Sequence, residues 1–177
     1  SVFIIKDDFR KNNWIFMIAG TDELNHEAEL KDFVKEKEIQ DIVKFVGPKF
    51  GKRKEEILDS ADCFVLPSKG ENFGIVITEA MARGLPIITT KSTPWLTLNK
   101  NNCGWCIERH EKEFILTLKE LFVSEDSELV EMGKNGIRLV KNKYTWEKIS
   151  SQFQNIYKWV SNDFEEKYKN GFELYKE

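Results

Sequence analysis

The sequence predicts an α/β protein built on a Rossmann-like, doubly wound parallel sheet. Short apolar segments alternate with segments of helical period along the chain, and this alternation is typical of strands joined by helical crossovers. The segment Trp14–Gly20 is continuously apolar, as expected for a strand that is buried on both faces of a parallel sheet. A chain of 177 residues with 41% hydrophobic content can bury one ordinary core. We therefore expect a single domain over residues 1–177.

The first elements follow from the spacing of apolar residues. Residues 1–13 predict a helix with Val2, Ile5 and Phe9 on one face. Thr21 and Asp22 are suited to cap a helix over residues 23–38. A strand at 43–47, a turn at 48–51 and a short helix at 53–61 come next. The side chains expected to face inward from helix 23–38 are Leu24, Leu30, Phe33 and Val34.

Residues 63–90 form the unit around which the chain is organised. An apolar strand at 63–66 leads into a loop with two glycines, and a second apolar strand begins at Pro86. Between them, Ile77, Ala80 and Met81 recur at helical spacing from a start near Gly74. Gly84, followed two residues later by Pro86, is a helix stop. The unit is therefore expected to be a right-handed parallel crossover.

The remainder of the chain predicts further helices and one short strand. A short helix at 95–101 precedes a strand at 104–107, and helices follow at 111–123 and 127–142. The helix at 127–142 is expected to be weakened near Gly133 and Gly136. C-terminal helical structure begins near Thr145, in the clearest amphipathic register of the chain. The apolar residues of that register are Trp146, Ile149, Phe153, Ile156, Tyr157 and Val160.

Charge and cysteine content exclude several classes of function. The 30 acidic and 27 basic residues give a net charge of −3, which argues against a nucleic-acid partner or an anionic membrane surface. No apolar run approaches the length of a membrane span. An odd number of cysteines, three, fits reduced thiols in a cytosol. We interpret Cys103 and Cys106 as packing residues of the short strand and not as a redox pair or zinc ligands.

The helix that begins near Gly74 is suited to bind an anion. The first N–H groups of a helix lack internal partners, and the helix dipole favours negative charge there. Gly74 permits close approach of a phosphate to the backbone. Glu79 lies five residues further on, a rise of about 7.5 Å, which suits hydroxyls such as those of a ribose better than the same phosphate. Glu71 would face the group on the other side of the phosphates, although spacing alone leaves open that both glutamates are ordinary surface residues.

This stretch resembles a known signature. The sequence Glu71-Asn-Phe-Gly-Ile-Val-Ile-Thr-Glu79, continuing through Pro86, resembles the E-x7-E motif of the retaining, nucleotide-sugar-dependent glycosyltransferases of family four, which have the two-domain GT-B fold. The resemblance extends to residues 61–62 and 67–68. The segments 92–95, 103–105 and 144–146 are similar to motifs of members that build bacterial cell-surface polysaccharides such as lipopolysaccharide and capsule.

The resemblance implies a role for each matching residue. Glu79 is expected to bind the ribose, and Glu71 is expected to lie by the donor sugar as the catalytic residue. Backbone N–H groups of residues 73–75 are expected to meet the diphosphate, and the loop after the strand at 43–47 is expected to border the base. The donor-binding residues so implied, besides Glu79, are Asn72, Phe73, Gly74, Ile75, Gly47, Pro48 and Lys49. No metal or other cofactor is expected, since fixed dipoles and basic side chains can stabilise a departing diphosphate.

The resemblance also implies parts that this sequence lacks. The family's first strand of this domain, with an Arg and a Lys that neutralise the diphosphate, is expected before residue 1. In the sheet, the strands at 14–20 and 63–66 are expected to lie on either side of it. Val2–Ile5 lies too close to Trp14 for a parallel crossover, and the basic pair is not assigned to Lys6, Arg10 or Lys11. The N-terminal acceptor domain is likewise absent. The chain is therefore expected to be the donor-binding half of an enzyme and to be inactive alone.

The implied reaction is the transfer of a hexosyl group from a nucleotide-diphosphate sugar to a growing cell-surface glycan or lipid-linked acceptor. The full enzyme is expected in the cytoplasm, and its acceptor is compatible with peripheral association at the inner face of the membrane. Two alternatives remain open at this point: a nucleotide-sugar epimerase of the GT-B fold, and a non-catalytic nucleotide-binding or interaction module. The base and the sugar are not fixed by the sequence.

Overall fold

The structure, a computed structural model, describes residues 1–22 and 25–161. The backbone divides into two compact units, Ser1–Ile137 and the residues from Arg138 onward. A 3₁₀ turn at Val2–Ile5 leads into the first helix. The helices are α1 (Lys6–Lys11), α2 (His26–Glu36), α3 (Lys52–Asp59), α4 (Ile75–Ala82), α5 (Thr97–Lys100), α6 (Glu111–Val123), α7 (Asp126–Lys143) and α8 (Trp146–Ser161). The strands are β1 (Phe16–Ile18), β2 (Val43–Phe45), β3 (Phe64–Leu66), β4 (Ile87–Thr90) and β5 (Gly104–Ile107).

The strands pair in parallel and confirm the predicted α/β class, but they form two sheets. One sheet pairs β1 with β2, and the other has the order β3-β4-β5. Among the described residues, no ladder joins β1 to β3. These are the two strands that were expected to flank a missing strand. The residues just before β1 form the 3₁₀ turn and α1, so they are helical, as predicted, and do not fill that place.

Among the described residues, β1 and β3 each have one edge paired with a neighbouring strand and one edge without a partner strand. The N–H of Phe16 donates to Ile42 O at 2.7 Å, and Ile18 O accepts from the N–H of Val46 at 3.0 Å. Because successive residues of a strand direct their backbone groups to opposite edges, those of Met17 face away from β2. In β3 the N–H of Phe64 donates to Pro86 O at 2.9 Å, so the groups of Val65 face away from β4.

Both sheets rest on one core within the first unit. Phe9 of α1 meets Phe122 of α6, with ring centroids 4.8 Å apart at 72°. All four residues of β4 are buried, whereas β1 has no fully buried residue. The buried members of this core are Ile5, Phe9, Val34, Ile39, Ile42, Val43, Ile88, Leu118, Leu121 and Phe122.

Helix α2 differs from its prediction at its start and on its inner face. It begins at His26 after Asn25, whose φ of 57° is left-handed, a conformation that Asn tolerates better than most residues. The predicted cap by Thr21 and Asp22 is therefore wrong, and residues 23–24, including the predicted inward Leu24, lie outside the described residues. Leu30 and Phe33 are exposed, and Val34 is the buried residue of the helix.

The glycines of α7 mark a close contact and not a weak point. The helix runs unbroken from Asp126 to Lys143. A Cβ on Gly133 would lie 2.0 Å from Gly84 O, just beyond α4, and one on Gly136 would lie 3.4 Å from Met81 Cβ. Glycine at these positions lets α7 approach the end of α4 at backbone distance.

The second unit contains the end of α7 and helix α8. The first residue of α8 is Trp146, one residue after the predicted start, and its side chain is 80% exposed. Phe153, Tyr157 and Val160 are also exposed. Within the part of the chain that the structure describes, no helix is both long and apolar enough to cross a membrane.

Candidate functional site

The candidate site lies at the carboxyl end of β3, in the loop 67–74 that leads into α4. The predicted strand-loop-helix-strand unit is present, with α4 at Ile75–Ala82 between β3 and β4. Ile77, Ala80 and Met81 of α4 are completely buried, as their spacing predicted. This packing fixes the helix on the sheet and leaves its N-terminus at the edge where ligands bind in parallel α/β sheets.

Gly74 sets the geometry at the start of α4. It is the N-cap residue, with a left-handed φ of 75° and ψ of 63°, and it accepts the N–H of Ile77 at 2.8 Å. No side chain in the described part of the chain caps α4, and no acidic residue occupies its first turn. The N-terminal N–H groups of this helix are thus left to water or to an anion, toward which the helix dipole is favourable.

Buried polar side chains bind main-chain carbonyl groups at both ends of the loop. Thr89 Oγ1 donates to Leu66 O at 2.8 Å, and Thr90 Oγ1 donates to Ser68 O at 2.6 Å. Trp95, which is 1% exposed, donates its indole N–H to Phe73 O, and the two rings lie 5.2 Å apart. The loop backbone is therefore tied to the end of β4 and to the segment after it.

Glu79 lies on α4 with its two carboxylate oxygens in different environments. Oε1 is 2.6 Å from Lys54 Nζ of α3. Oε2 is buried and has no hydrogen-bond partner within the described residues. A buried carboxylate oxygen without a donor is costly, so Oε2 is expected to be completed by a water, an ion or a ligand.

The other predicted site residues lie on the two loops at the strand ends. Glu71 is half-buried and Asn72 is exposed. Gly47 has a left-handed φ of 66°, Pro48 is exposed, and Lys49 donates to Val46 O. Because α3 follows the loop at 47–51 and its Lys54 reaches Glu79, the helices after the two loops are in contact.

A cleft accompanies the loop at the same edge of the three-stranded sheet. It has a volume of about 300 Å³ and is lined by Pro67, Thr90 and Ile107 at the ends of β3, β4 and β5, and by residues 108–111. A larger cleft of about 380 Å³ lies beside Asn102 and Glu120, at the opposite end of β5. The larger cleft contains no residue of the loop 67–74, and the smaller one contains only Pro67 of it. Neither of these two clefts is lined by Glu71, Gly74 or Glu79.

Arg10, a basic residue near the start of the chain, takes part in packing contacts and not in the candidate site. Arg10 donates to both carboxylate oxygens of Asp41, at 2.7 and 3.1 Å, and to Glu38 O at 2.7 Å, so it serves the packing of α1.

Burial raises the pKa of the Cys103 thiol to about 11 and also raises that of Cys106. A redox thiol needs a lowered pKa, which agrees with the packing interpretation. The described residues contain no cluster of three or more His, Cys, Asp or Glu that could hold a metal ion.

Sequence reasoning gave no site role to Lys54 or Trp95, and it placed Thr89 and Thr90 only at a strand end on the ligand-binding edge of the sheet. A lysine on a polar helix carries no local signal that distinguishes it from any surface lysine. The two threonines end an otherwise apolar strand, which is the signal that could have identified them. Trp95 was assigned to a short predicted helix at 95–101 and to a segment that resembles the family, but to no role in the site.

Comparison with known proteins identifies relatives of this unit. Residues 4–150 match the family model of Glycosyl transferases group 1. D-inositol 3-phosphate glycosyltransferase of Corynebacterium kroppenstedtii is 24% identical over 131 residues, which cover 73% of this chain and 29% of the relative. Human alpha-1,3/1,6-mannosyltransferase ALG2 is 29% identical over 153 residues, which cover 83% and 36% of the two chains. The chain thus spans well under half the length of these curated relatives.

Solved structures share the fold. HepE from Anabaena, in complex with UDP, superposes with a TM-score of 0.74 at 17% identity, over 88% of this chain and 44% of that one. The C-terminal domain of LpcC from Francisella tularensis, a group 1 glycosyl transferase, gives a TM-score of 0.67 at 22% identity, over 82% and 77% of the two chains. With the family match over residues 4–150, this chain belongs to the group 1 glycosyl transferase family, whose structural neighbours have the GT-B fold.

Proposed function

We propose that this chain is the donor-binding part of a retaining glycosyltransferase, which moves a hexosyl group from a nucleotide-diphosphate sugar to a growing cell-surface glycan. The observation that carries the proposal is the pairing of two features on α4. Among the described residues, no side chain caps its N-terminus, and Oε2 of Glu79 is buried without a hydrogen-bond partner. One feature suits a diphosphate and the other suits a hydroxyl donor such as a ribose.

The distance between these features matches a nucleotide. Five residues separate Gly74 from Glu79, a rise of about 7.5 Å along the helix. This separation keeps the carboxylate from repelling the diphosphate at the helix N-terminus. Structural neighbours bind ligands of this class: HepE was solved with UDP and with UDP-glucose, and TarM of Staphylococcus aureus was solved with UDP.

The N-terminus of α4 is proposed to assist departure of the nucleoside diphosphate. As the sugar–phosphate bond breaks, negative charge grows on the diphosphate, and the N–H groups of residues 73–75 are placed to stabilise it without a metal ion. Fixing the loop through Thr89, Thr90 and Trp95 prepares these donors before the reaction. Such preorganisation is what makes fixed dipoles effective in catalysis.

The remaining roles are assigned by position in the loops. Glu71 and Asn72 precede the helix, on the sugar side of the diphosphate, and Glu71 is the proposed catalytic residue. Gly47, Pro48 and Lys49 border the base. The acceptor, a glycan or a lipid-linked glycan, would be bound by a further domain in the cytoplasm at the inner face of the membrane.

Calorimetric titration of the chain with UDP, GDP and ADP tests the proposal. We expect at least one of these to bind, and Glu79→Ala to weaken its binding by about 1.5–3 kcal/mol, because a hydrogen bond to a charged group is lost. Glu56→Ala is the matched control, since this glutamate of α3 is exposed. Equal affinities of wild type and Glu79→Ala for every nucleotide that binds would contradict the ribose assignment.

A further inference from the structure

The ion pair between Lys54 and Glu79 joins the two helices that follow the site loops. Lys54 Nζ lies 2.6 Å from Glu79 Oε1, and each side chain is 36% exposed. Lys54 belongs to the first turn of α3, which follows the proposed base loop, and Glu79 belongs to α4, which follows the proposed phosphate loop. The contact therefore links the two halves of the proposed nucleotide site.

Lys54 engages one oxygen of the carboxylate and leaves the other without a donor. Oε1 accepts the ammonium, while Oε2 is buried and has no partner within the described residues. A lysine ammonium that binds one oxygen of a carboxylate restrains the rotation of the whole group. The contact at Oε1 therefore restrains the direction in which Oε2 points.

Fastening α3 to α4 does not require Lys54. Arg83, just after α4, already reaches α3 through Glu55 Oε2 at 3.1 Å and through Asp59. Glu55 lies in the first turn of α3, next to Lys54 in sequence, and Asp59 is the last residue of the helix, so Arg83 joins α4 to both ends of α3. A purely structural role would therefore duplicate a connection that Arg83 provides.

We propose that Lys54 is a positioning residue for donor recognition: it holds Glu79 so that Oε2 accepts a hydroxyl of the donor ribose. This inference rests on the proposed function, since it assumes that a nucleotide binds at α4. According to this inference, the pair Lys54–Glu79, and not Glu79 alone, selects a ribose over a sugar that lacks the 2′ and 3′ hydroxyls.

The inference predicts a change in selectivity and not only in affinity. Wild type should bind a ribonucleoside diphosphate at least about tenfold more tightly than its 2′,3′-dideoxy form, because the dideoxy form cannot donate to Oε2. Lys54→Met should lose most of this ratio, because the carboxylate is no longer held toward the hydroxyl. Affinity for the dideoxy form should change little.

Titrations followed by amide NMR shifts measure both affinities, including weak ones. The probes are UDP, GDP and ADP with their 2′,3′-dideoxy counterparts. Lys54→Arg should restore most of the ratio by supplying another cation at Oε1. Lys52→Met is the matched control, because Lys52 lies in the same turn of α3 and is exposed, and it should leave the ratio unchanged.

The outcomes separate this inference from the proposed function. A wild-type chain that binds none of the three ribonucleotides would overturn both. A chain that binds one of them, but whose affinities for the ribo and dideoxy forms fall equally in Lys54→Met, would show that Lys54 is structural only. An unchanged ratio in Lys54→Met would overturn the inference and leave the proposed function intact.

Discussion

The two sheets of this protein differ in how completely their strands are enclosed. In the three-stranded sheet, β4 lies between two partners and all four of its residues are buried. In the two-stranded sheet, β1 has one partner, its Met17 is exposed, and Ile15 just before it is 54% exposed. The enclosed sheet holds its neighbouring loop through buried hydroxyls, and the open sheet has no comparable anchors among the described residues.

This difference shows which part of the fold carries the candidate site. Thr89 and Thr90 can bind loop carbonyls because they end a strand that is fixed on both sides. The loop at 46–51, at the end of the two-stranded sheet, contains Phe50 with 73% of its side chain exposed. The phosphate side of the proposed site is therefore built rigidly, whereas the base side depends on a sheet with an unpaired edge, which is open to pairing with another strand.

The largest expected effect comes from filling the space between β4 and β5. A Cβ on Gly104, whose φ is 147°, would lie 2.1 Å from Ile87 O. Gly104→Ala should therefore destabilise the protein by about 3 kcal/mol or more, from backbone strain and steric overlap together. Urea unfolding followed by circular dichroism measures this loss, and a variant too unstable to fold would show no native signal in the absence of urea.

Gly20→Ala provides the comparison from the two-stranded side. Gly20 follows β1, and a Cβ there would meet no atom of the described residues within 4 Å. Its unfolding free energy should stay within about 0.5 kcal/mol of wild type. Equal effects of the two substitutions would contradict the difference in enclosure between the sheets.

A smaller effect is expected from Trp95→Phe. The substitution keeps an aromatic ring in a buried position but removes the indole N–H that donates to Phe73 O. We expect a loss of about 1–3 kcal/mol in unfolding free energy and weaker binding of the nucleotide, since Phe73 precedes the N-cap of α4. Trp146→Phe, at an 80% exposed position, is the control in both assays and should match wild type. A stable Trp95→Phe variant with unchanged nucleotide affinity would show that this hydrogen bond does not hold the loop.

The central unit was predictable from the sequence because its signals are local. The apolar run at 63–66, Gly74 and the Gly84–Pro86 stop lie within the unit itself. The structure places α4 between Gly74 and Gly84, and β4 begins directly after Pro86. Local signals also predicted three other features that the structure confirms: the parallel pairing of strands, α1 at the start of the chain and the short strand at 104–107. The signature of glutamates likewise lies within nine consecutive residues.

The parts that were not predicted depend on contacts distant in sequence. Lys54 and Glu79 are 25 residues apart, and nothing near Lys54 marks it as a partner of that carboxylate. Gly133 was expected to weaken α7 because glycine has a low helix propensity, but the approach to Gly84 O becomes visible only when the helices are assembled. The helical spacing of Phe33 predicts that it faces the core, but its side chain is 43% exposed. Its exposure depends on which other segments pack over the helix, and the spacing of apolar residues does not show this.

The smallest expected effect concerns the ion pair that supports the two-stranded sheet. Arg10 of α1 contacts Asp41, two residues before β2, and its hydrogen bonds hold the pKa of the Asp41 carboxyl below its usual value. A lowered pKa in the folded state stabilises the protein above the unfolded pKa of about 4, and this contribution is lost as pH falls through the folded pKa. Asp41→Asn should therefore unfold at a slightly lower urea concentration than wild type at pH 7, and the difference should vanish in strong acid. Because the pair is exposed, 1 M salt should also reduce the difference. Asp62→Asn, at another exposed carboxylate, controls for the loss of one charge, and a pH-independent difference for Asp41→Asn would contradict the role of the pair.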